Sequence, residues 1–219
     1  MAWTPGGVGP GQALREGVIQ EAAPDPGAAL VNADLVVIAA PPLETINLVR
    51  RLGSDLAGSI KSSALVTDVA STKSTVMAAA AAAGLRFVGG HPMAGRERSG
   101  YAASSADLFA GRPWVVVAPD GSGSDADAPV RWLAEACGAT PLSLSATDHD
   151  AAVAAVSHLP LVLSAILVEA VAADERLWPI ASSLAASGWA SATRLARGDP
   201  RMGAGITVTN SREISRALR

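Results

Sequence analysis

The sequence predicts an α/β protein: a parallel sheet wrapped by helices, followed by an all-helical region. Three observations carry this. Short apolar runs alternate with stretches of helical spacing up to about residue 145. Pro or Gly punctuates most of those runs. After "SATDHD" (145–150) no strand pattern recurs.

The elements follow in order. "ADLVVIAA" (33–40) reads as a buried strand stopped by Pro41-Pro42. Residues 43–58 place Leu43, Ile46, Val49 and Leu52 at helical spacing. "SALVTDVA" (63–70) is a second strand, and residues 72–84 form an alanine-rich helix closed by Gly84. "LRFVGG" (85–90) and "PWVVVAP" (113–119) are strands three and four, and 127–139 is a helix. "GSGSDADA" (121–128) is a surface loop. Helices are expected at 148–173, 177–187, 190–197 and about 210–218, which divides the chain into units 1–145 and 146–219.

Composition excludes several classes. The 219 residues are 49% apolar with a net charge of −3, which gives no basic stripe for nucleic acid. Cys137 is the single cysteine, so no intrachain disulfide forms and no metal site is expected. "MAWTPGGVGPG" lacks the basic-then-apolar pattern of a signal peptide, and a cytoplasmic protein is expected. Residues 151–173 are long enough to cross a bilayer, yet they carry His158, Pro160 and Glu169. A buried helix of a helical core, with no membrane partner, is the predicted outcome.

In an open parallel sheet, ligands bind beyond the carboxyl ends of the strands. Three loops leave strands there: "APP" (40–42), "ASTK" (70–73) and "GHPMAG" (90–95). Ser71 stands at a strand-to-helix turn, where it either caps the helix or meets a polar ligand. Lys73, in the first turn, is expected to point at solvent or a phosphate. His91 is either a structural hydrogen-bonding residue or a base for a substrate hydroxyl. By spacing alone His158 reads as a core histidine, Arg194 as a solvated helix residue, and His149 as part of a helix start without chemistry.

Taken together, "DLVVIAAPP", "DVASTK", "GGHPMAGRERSG", "LFAGRPWVV", "DHDAAVAAVSHLP" and "ATRLARGDP" resemble, in order and rough spacing, the prephenate/arogenate dehydrogenases of tyrosine biosynthesis. The resemblance implies an incomplete doubly wound, Rossmann-like sheet followed by an all-α dimerisation domain. It implies NAD(P)-dependent oxidative decarboxylation of prephenate to 4-hydroxyphenylpyruvate, or of arogenate to tyrosine, by a homodimer. By the same resemblance, His91 bonds the ring hydroxyl as a catalytic residue. Ser71 sits between that hydroxyl and the nicotinamide, and Arg194 holds a substrate carboxylate. His158 lines the pocket, and Glu97 gates or polarises it. Thr4, Ala40, Pro41 and Pro42 join Ser71 on the cofactor side.

The chain departs from the family in front. No G-x-G-x-x-G follows a strand, and "AWTP" aligns with the end of the family's second strand. A fragment, shortened also at its helical tail, is expected; a non-catalytic remnant is the alternative. Thr4 holds the place of the ribose-binding acid. NAD is the expected cofactor, with NADP possible. A β-hydroxyacid dehydrogenase is disfavoured, because residues 146–219 contain no lysine for its base.

Overall fold

A computed structural model describes residues 1–95, 100–123 and 125–219. Two short helices come first, α1 (Val8–Arg15) and α2 (Pro26–Leu30). Asp25 caps the second, accepting from the Ala28 amide at 2.8 Å. The α/β pattern follows: β1 (Leu35–Ile38), α3 (Pro42–Leu52), β2 (Leu65–Asp68), α4 (Ser74–Ala82), β3 (Phe87–Pro92), β4 (Pro113–Val117), α5 (Ala128–Ala136) and β5 (Thr140–Ser143).

The five strands lie in chain order, β1-β2-β3-β4-β5. The sheet is mixed rather than wholly parallel, because β3 and β4 run antiparallel. The reason is the connection. The described residues between β3 and β4 hold one short 3-10 turn (Tyr101–Ala103) and no crossover helix, and a parallel pair needs a crossover. The strand β5, "TPLS", was not expected. It is polar and largely exposed at the sheet edge, so it carries no apolar signal.

Alternation divides the core. Val66 faces a cluster with Ile46, Val49, Leu52, Val76 and Phe87 beneath α3 and α4. Leu65, its neighbour, faces the other side with Val88, Trp114, Val116, Val130 and Ala134 beneath α5. Helices therefore cover both faces.

The helical region is α6 (Ala146–Val153), a π-helical turn (Ala154–His158), α7 (Leu159–Ala172), α8 (Leu177–Ser183), α9 (Ser187–Ala192), α10 (Pro200–Thr209) and α11 (Ser211–Ala217). The predicted single helix 148–173 contains that π turn. Pro160 enters two residues later without an N–H to donate, and the widened turn takes up the mismatch. Two other differences stand out. Helix α10 was missed, its start set by Pro200 and the Asp199 cap. Helix α7 is not the buried core helix expected of it. Only Ser164 is buried, and Leu163 and Ile166 are 48% and 56% exposed. Together α6, the π turn and α7 are long and apolar enough to cross a membrane.

The helical region grips the sheet region through α10. Thr209 shares a 2.9 Å hydrogen bond between hydroxyls with Thr72, and its carbonyl accepts from the Thr75 hydroxyl at 3.0 Å. Gly205 lies against Pro42 so closely that a β-carbon there would meet the proline ring at 3.1 Å.

Candidate active site

The site is built where β3 outruns β2. The first half of β3 pairs with β2, through Val66–Phe87 and Thr67–Val88. Its second half pairs with β4, opposing His91 to Val115. His91 is therefore held in a strand, one residue beyond the predicted end, and projects past the carboxyl end of β2.

Asp68, the last residue of β2, compensates for the pairing that ends there. Its carboxylate accepts from the Gly90 amide at 3.1 Å and the Ala70 amide at 3.0 Å. Lys73 completes the corner. Its ammonium pairs with Asp68 and donates to the Gly90 carbonyl at 2.8 Å. Both side chains are fully buried, so Lys73 points neither at solvent nor at a phosphate site. Sequence reasoning placed it by helix-dipole logic alone and missed the carboxylate five residues earlier. Burial draws the Lys73 pKa down, against the pull of Asp68. Glycine is required at position 90. A β-carbon would lie 2.5 Å from the Asp68 carbonyl oxygen and 3.0 Å from Trp114 Nε1.

The helical region meets this corner through Asp150. Its Oδ1 accepts from the Lys73 amide and its Oδ2 from the Ser74 amide, both at 2.8 Å. Asp150 thus caps α4 from another part of the chain. Ser71 is not that cap: the helix starts at Ser74, and Ser71 is half-buried two residues before the N-cap position, Lys73.

Three histidines converge here. His149 Nδ1 lies 2.8 Å from Asp150 Oδ1, and its Nε2 lies 2.8 Å from His91 Nδ1. The two rings meet edge-on at 74°. His158, buried on the π turn, receives a 3.0 Å hydrogen bond at Nδ1 from the Asn210 amide, which also donates to the Asp150 carbonyl at 2.9 Å. Because Nδ1 accepts, the neutral ring carries its proton on Nε2. That Nε2 is buried and makes no hydrogen bond of good geometry among the described residues, with only the Ser71 backbone carbonyl near it. A buried donor left so is costly unless a ligand meets it.

Burial holds His91 well below the ordinary histidine pKa, and the charge of Lys73 and the two neighbouring imidazoles add to it. Burial likewise lowers His158 to about 4. Asp150 also lies below the usual carboxylate range. Its burial acts the other way, but the hydrogen bonds from His149, Ser74 and Lys73 outweigh it. At neutral pH His91 and His158 are therefore uncharged, beside an ionised Asp150 carboxylate.

The structure brings several of the expected residues together. Ser71, His91 and His158 share this corner: the Ser71 backbone approaches the His158 ring, and His158 and His91 lie close enough to influence each other's charge. Thr4 and Ala40 line a separate cleft of about 250 Å³ along the β1 edge, with Trp3, Ile38 and Leu48. Pro41 precedes α3, and Pro42 is buried under α10 rather than facing that cleft. Arg194 stands exposed at the head of the 3-10 turn Leu195–Arg197, which packs on α7 through the Ala196 amide and the Ser164 hydroxyl at 3.1 Å. Glu97 lies outside the described residues.

Sequence reasoning missed His149, Asp150 and Asn210. A signal existed: Asp150, Ala154 and His158 recur at helical spacing, and all three are buried.

A helix-covered sheet with a polar corner beyond its strand ends, closed by a helical unit, defines a two-part nucleotide-binding α/β protein. Residues 10–141 match the nucleotide-binding domain of prephenate dehydrogenase, and residues 145–219 match its dimerization domain. The chain belongs to the prephenate dehydrogenase family. It is 31% identical over 205 residues to the prephenate dehydrogenase of Bacillus subtilis, covering 92% of this chain and 54% of that protein. It spans about half the length of the curated relatives it matches. Among solved structures, the Aquifex aeolicus prephenate dehydrogenase bound to hydroxyphenyl propionate and NAD+ superposes with a TM-score of 0.83 at 25% identity, over 95% of this chain and 72% of that one. The Synechocystis arogenate dehydrogenase superposes with a TM-score of 0.76 at 28% identity, over 98% and 76%.

Proposed function

We propose that the chain carries the substrate-binding corner of an NAD-dependent prephenate dehydrogenase that oxidatively decarboxylates prephenate to 4-hydroxyphenylpyruvate in the cytoplasm. The observation that carries this reading is His91: an uncharged imidazole, fixed by a 2.8 Å hydrogen bond, beyond the carboxyl ends of the strands.

Each residue has a role set by its chemistry. His91 accepts the proton of the ring hydroxyl while the carbon bearing it loses hydride. Carbon dioxide then leaves from the ring, and its electron pair completes the aromatic system. His158 lines the pocket with its Nε2–H edge, beside the Ser71 backbone. Ser71, beside it, orients the hydroxyl, and Arg194 takes a carboxylate through its planar fork. Glu97 is kept as a pocket residue on the resemblance alone.

The residues present fit NAD in part. Thr4 and Ala40 share one cleft at the β1 edge, and Pro41 follows Ala40 in the chain at the start of α3. A cleft of about 250 Å³ is smaller than the usual small-molecule pocket, so it takes one portion of a dinucleotide. NAD supplies the hydride acceptor when bound. The NAD+ in the Aquifex aeolicus neighbour supports it over NADP. The Synechocystis relative favours arogenate as a second substrate reading, which keeps the same proton acceptor.

The exposed apolar faces of α7 and α8 support a homodimer through the helical unit 146–219, with the sheet unit 1–145 as the nucleotide side. That covering also accounts for the apolar helix without a membrane. The test is turnover of prephenate with NAD, followed by NADH and carbon dioxide. His91→Asn is expected to lower kcat roughly 100-fold or more while leaving NAD affinity unchanged. Binding of neither prephenate nor NAD identifies a non-catalytic remnant.

A further inference from the structure

We infer that His149 and Asp150 are positioning residues that fix the tautomer of His91, leaving His91 Nε2 as the unprotonated atom facing substrate. This rests on the reading of His91 as the proton acceptor, and it deepens that reading.

The argument is one of donors and acceptors. Asp150 receives two backbone N–H groups, from Lys73 at 2.8 Å and Ser74 at 2.8 Å, and such groups only donate. The carboxylate is therefore the acceptor on every side, and His149 Nδ1, 2.8 Å from it, carries a proton. A neutral His149 then has a bare Nε2. That atom is 2.8 Å from His91 Nδ1, which must donate. His91 is left with its lone pair on Nε2. With both rings neutral, reversing any link opposes two donors or two lone pairs inside a buried site, since His149 and Asp150 are 0% and 2% exposed.

The remaining charges do not reverse this order. Lys73 is spent on Asp68 and the Gly90 carbonyl, and His158 Nδ1 is spent on Asn210. When His91 takes the substrate proton it becomes an imidazolium whose Nδ1–H still points at His149, with the Asp150 carboxylate behind it. The helix α6 that supplies the pair also caps α4, so the tautomer is set only when the helical unit is docked.

The test uses the folded chain and its three histidines. Nitrogen NMR of 15N-histidine protein reads each ring's tautomer directly. Both His91 and His149 are expected as the Nδ1–H form. An Nε2–H form of His91 overturns the proposal. Two variants then separate positioning from structure. His149→Gln keeps an acceptor at the Nε2 place, and kcat is expected within about tenfold of the parent. His149→Met removes it, and kcat is expected to fall roughly 100-fold, with KM within about twofold. Equal losses in both variants overturn the proposal. If the parent chain does not turn over prephenate, the functional reading fails, and the tautomer measurement still decides this one.

Discussion

The carboxylate of Asp150 sits across the amide of Ser74, 2.8 Å away, and so a residue of the helical region terminates a helix of the sheet region. The two amides it accepts from would otherwise be orphans at the start of α4. The same carboxylate orders His149, so helix capping and imidazole geometry share one group.

This contact is open to hydrogen exchange. The amides of Lys73 and Ser74 are expected to exchange slowly in the parent. Asp150→Ala is expected to speed both by at least tenfold while the central strands keep their protection. Unchanged exchange at these two amides shows that the cap does not hold in solution.

Position 90 gives a sharper steric test. A β-carbon there meets the Asp68 carbonyl oxygen at 2.5 Å, in a corner where Lys73 and Asp68 are already locked together. Neither backbone can withdraw without breaking the β2–β3 junction. Gly90→Ala is expected to cost at least about 2–3 kcal/mol of stability by urea unfolding. Gly58→Ala is the control, because nothing lies within 4 Å of its β-carbon. Equal midpoints for the two variants refute the packing account.

The sequence told much about α/β order and little about its closure. Strands β1 to β4 were legible because short apolar runs occupy both faces, as Leu65 and Val66 of β2 illustrate, buried in the two opposite core clusters. Strand β5 was hidden by its polar edge, and the antiparallel turn at β4 by the lack of any pattern that reports strand direction. His91 and Ser71 could be placed at one edge from loop positions alone. His149 could not be linked to His91, since 58 residues separate them and only packing brings the rings together. Lys73 was misread because a surface rule was applied to a side chain that is wholly buried.

Acid should weaken the fold from near neutrality downward. His158 titrates at about 4 in the folded chain, below the ordinary histidine value of 6.5. The unfolded chain therefore binds the proton first. Stability is full above about pH 6.5 and falls as pH drops toward 4, by on the order of 3 kcal/mol. His91 acts in the same direction, and Asp150 adds its own loss only below the usual carboxylate range. Urea midpoints between about pH 7 and pH 4 measure the slope. His158→Gln is expected to flatten it, and a parent midpoint independent of pH in this window refutes the assignment.

The last prediction concerns the surface that the fold leaves bare. Leu163 and Ile166 on α7 are 48% and 56% exposed, and Ile180 on α8 is 60% exposed. A helix apolar on every side is not stable against water along its length. Contiguous apolar surface of this kind marks an interface. A second copy of the chain is the expected cover, since residues 145–219 match a dimerization domain. Sedimentation is expected to give twice the chain mass. Ile166→Asp places a charge in the middle of that face, where desolvating it opposes association. The variant is expected to sediment as a monomer with the sheet region still folded by circular dichroism. A parent that sediments as a monomer at micromolar concentration sinks the proposal.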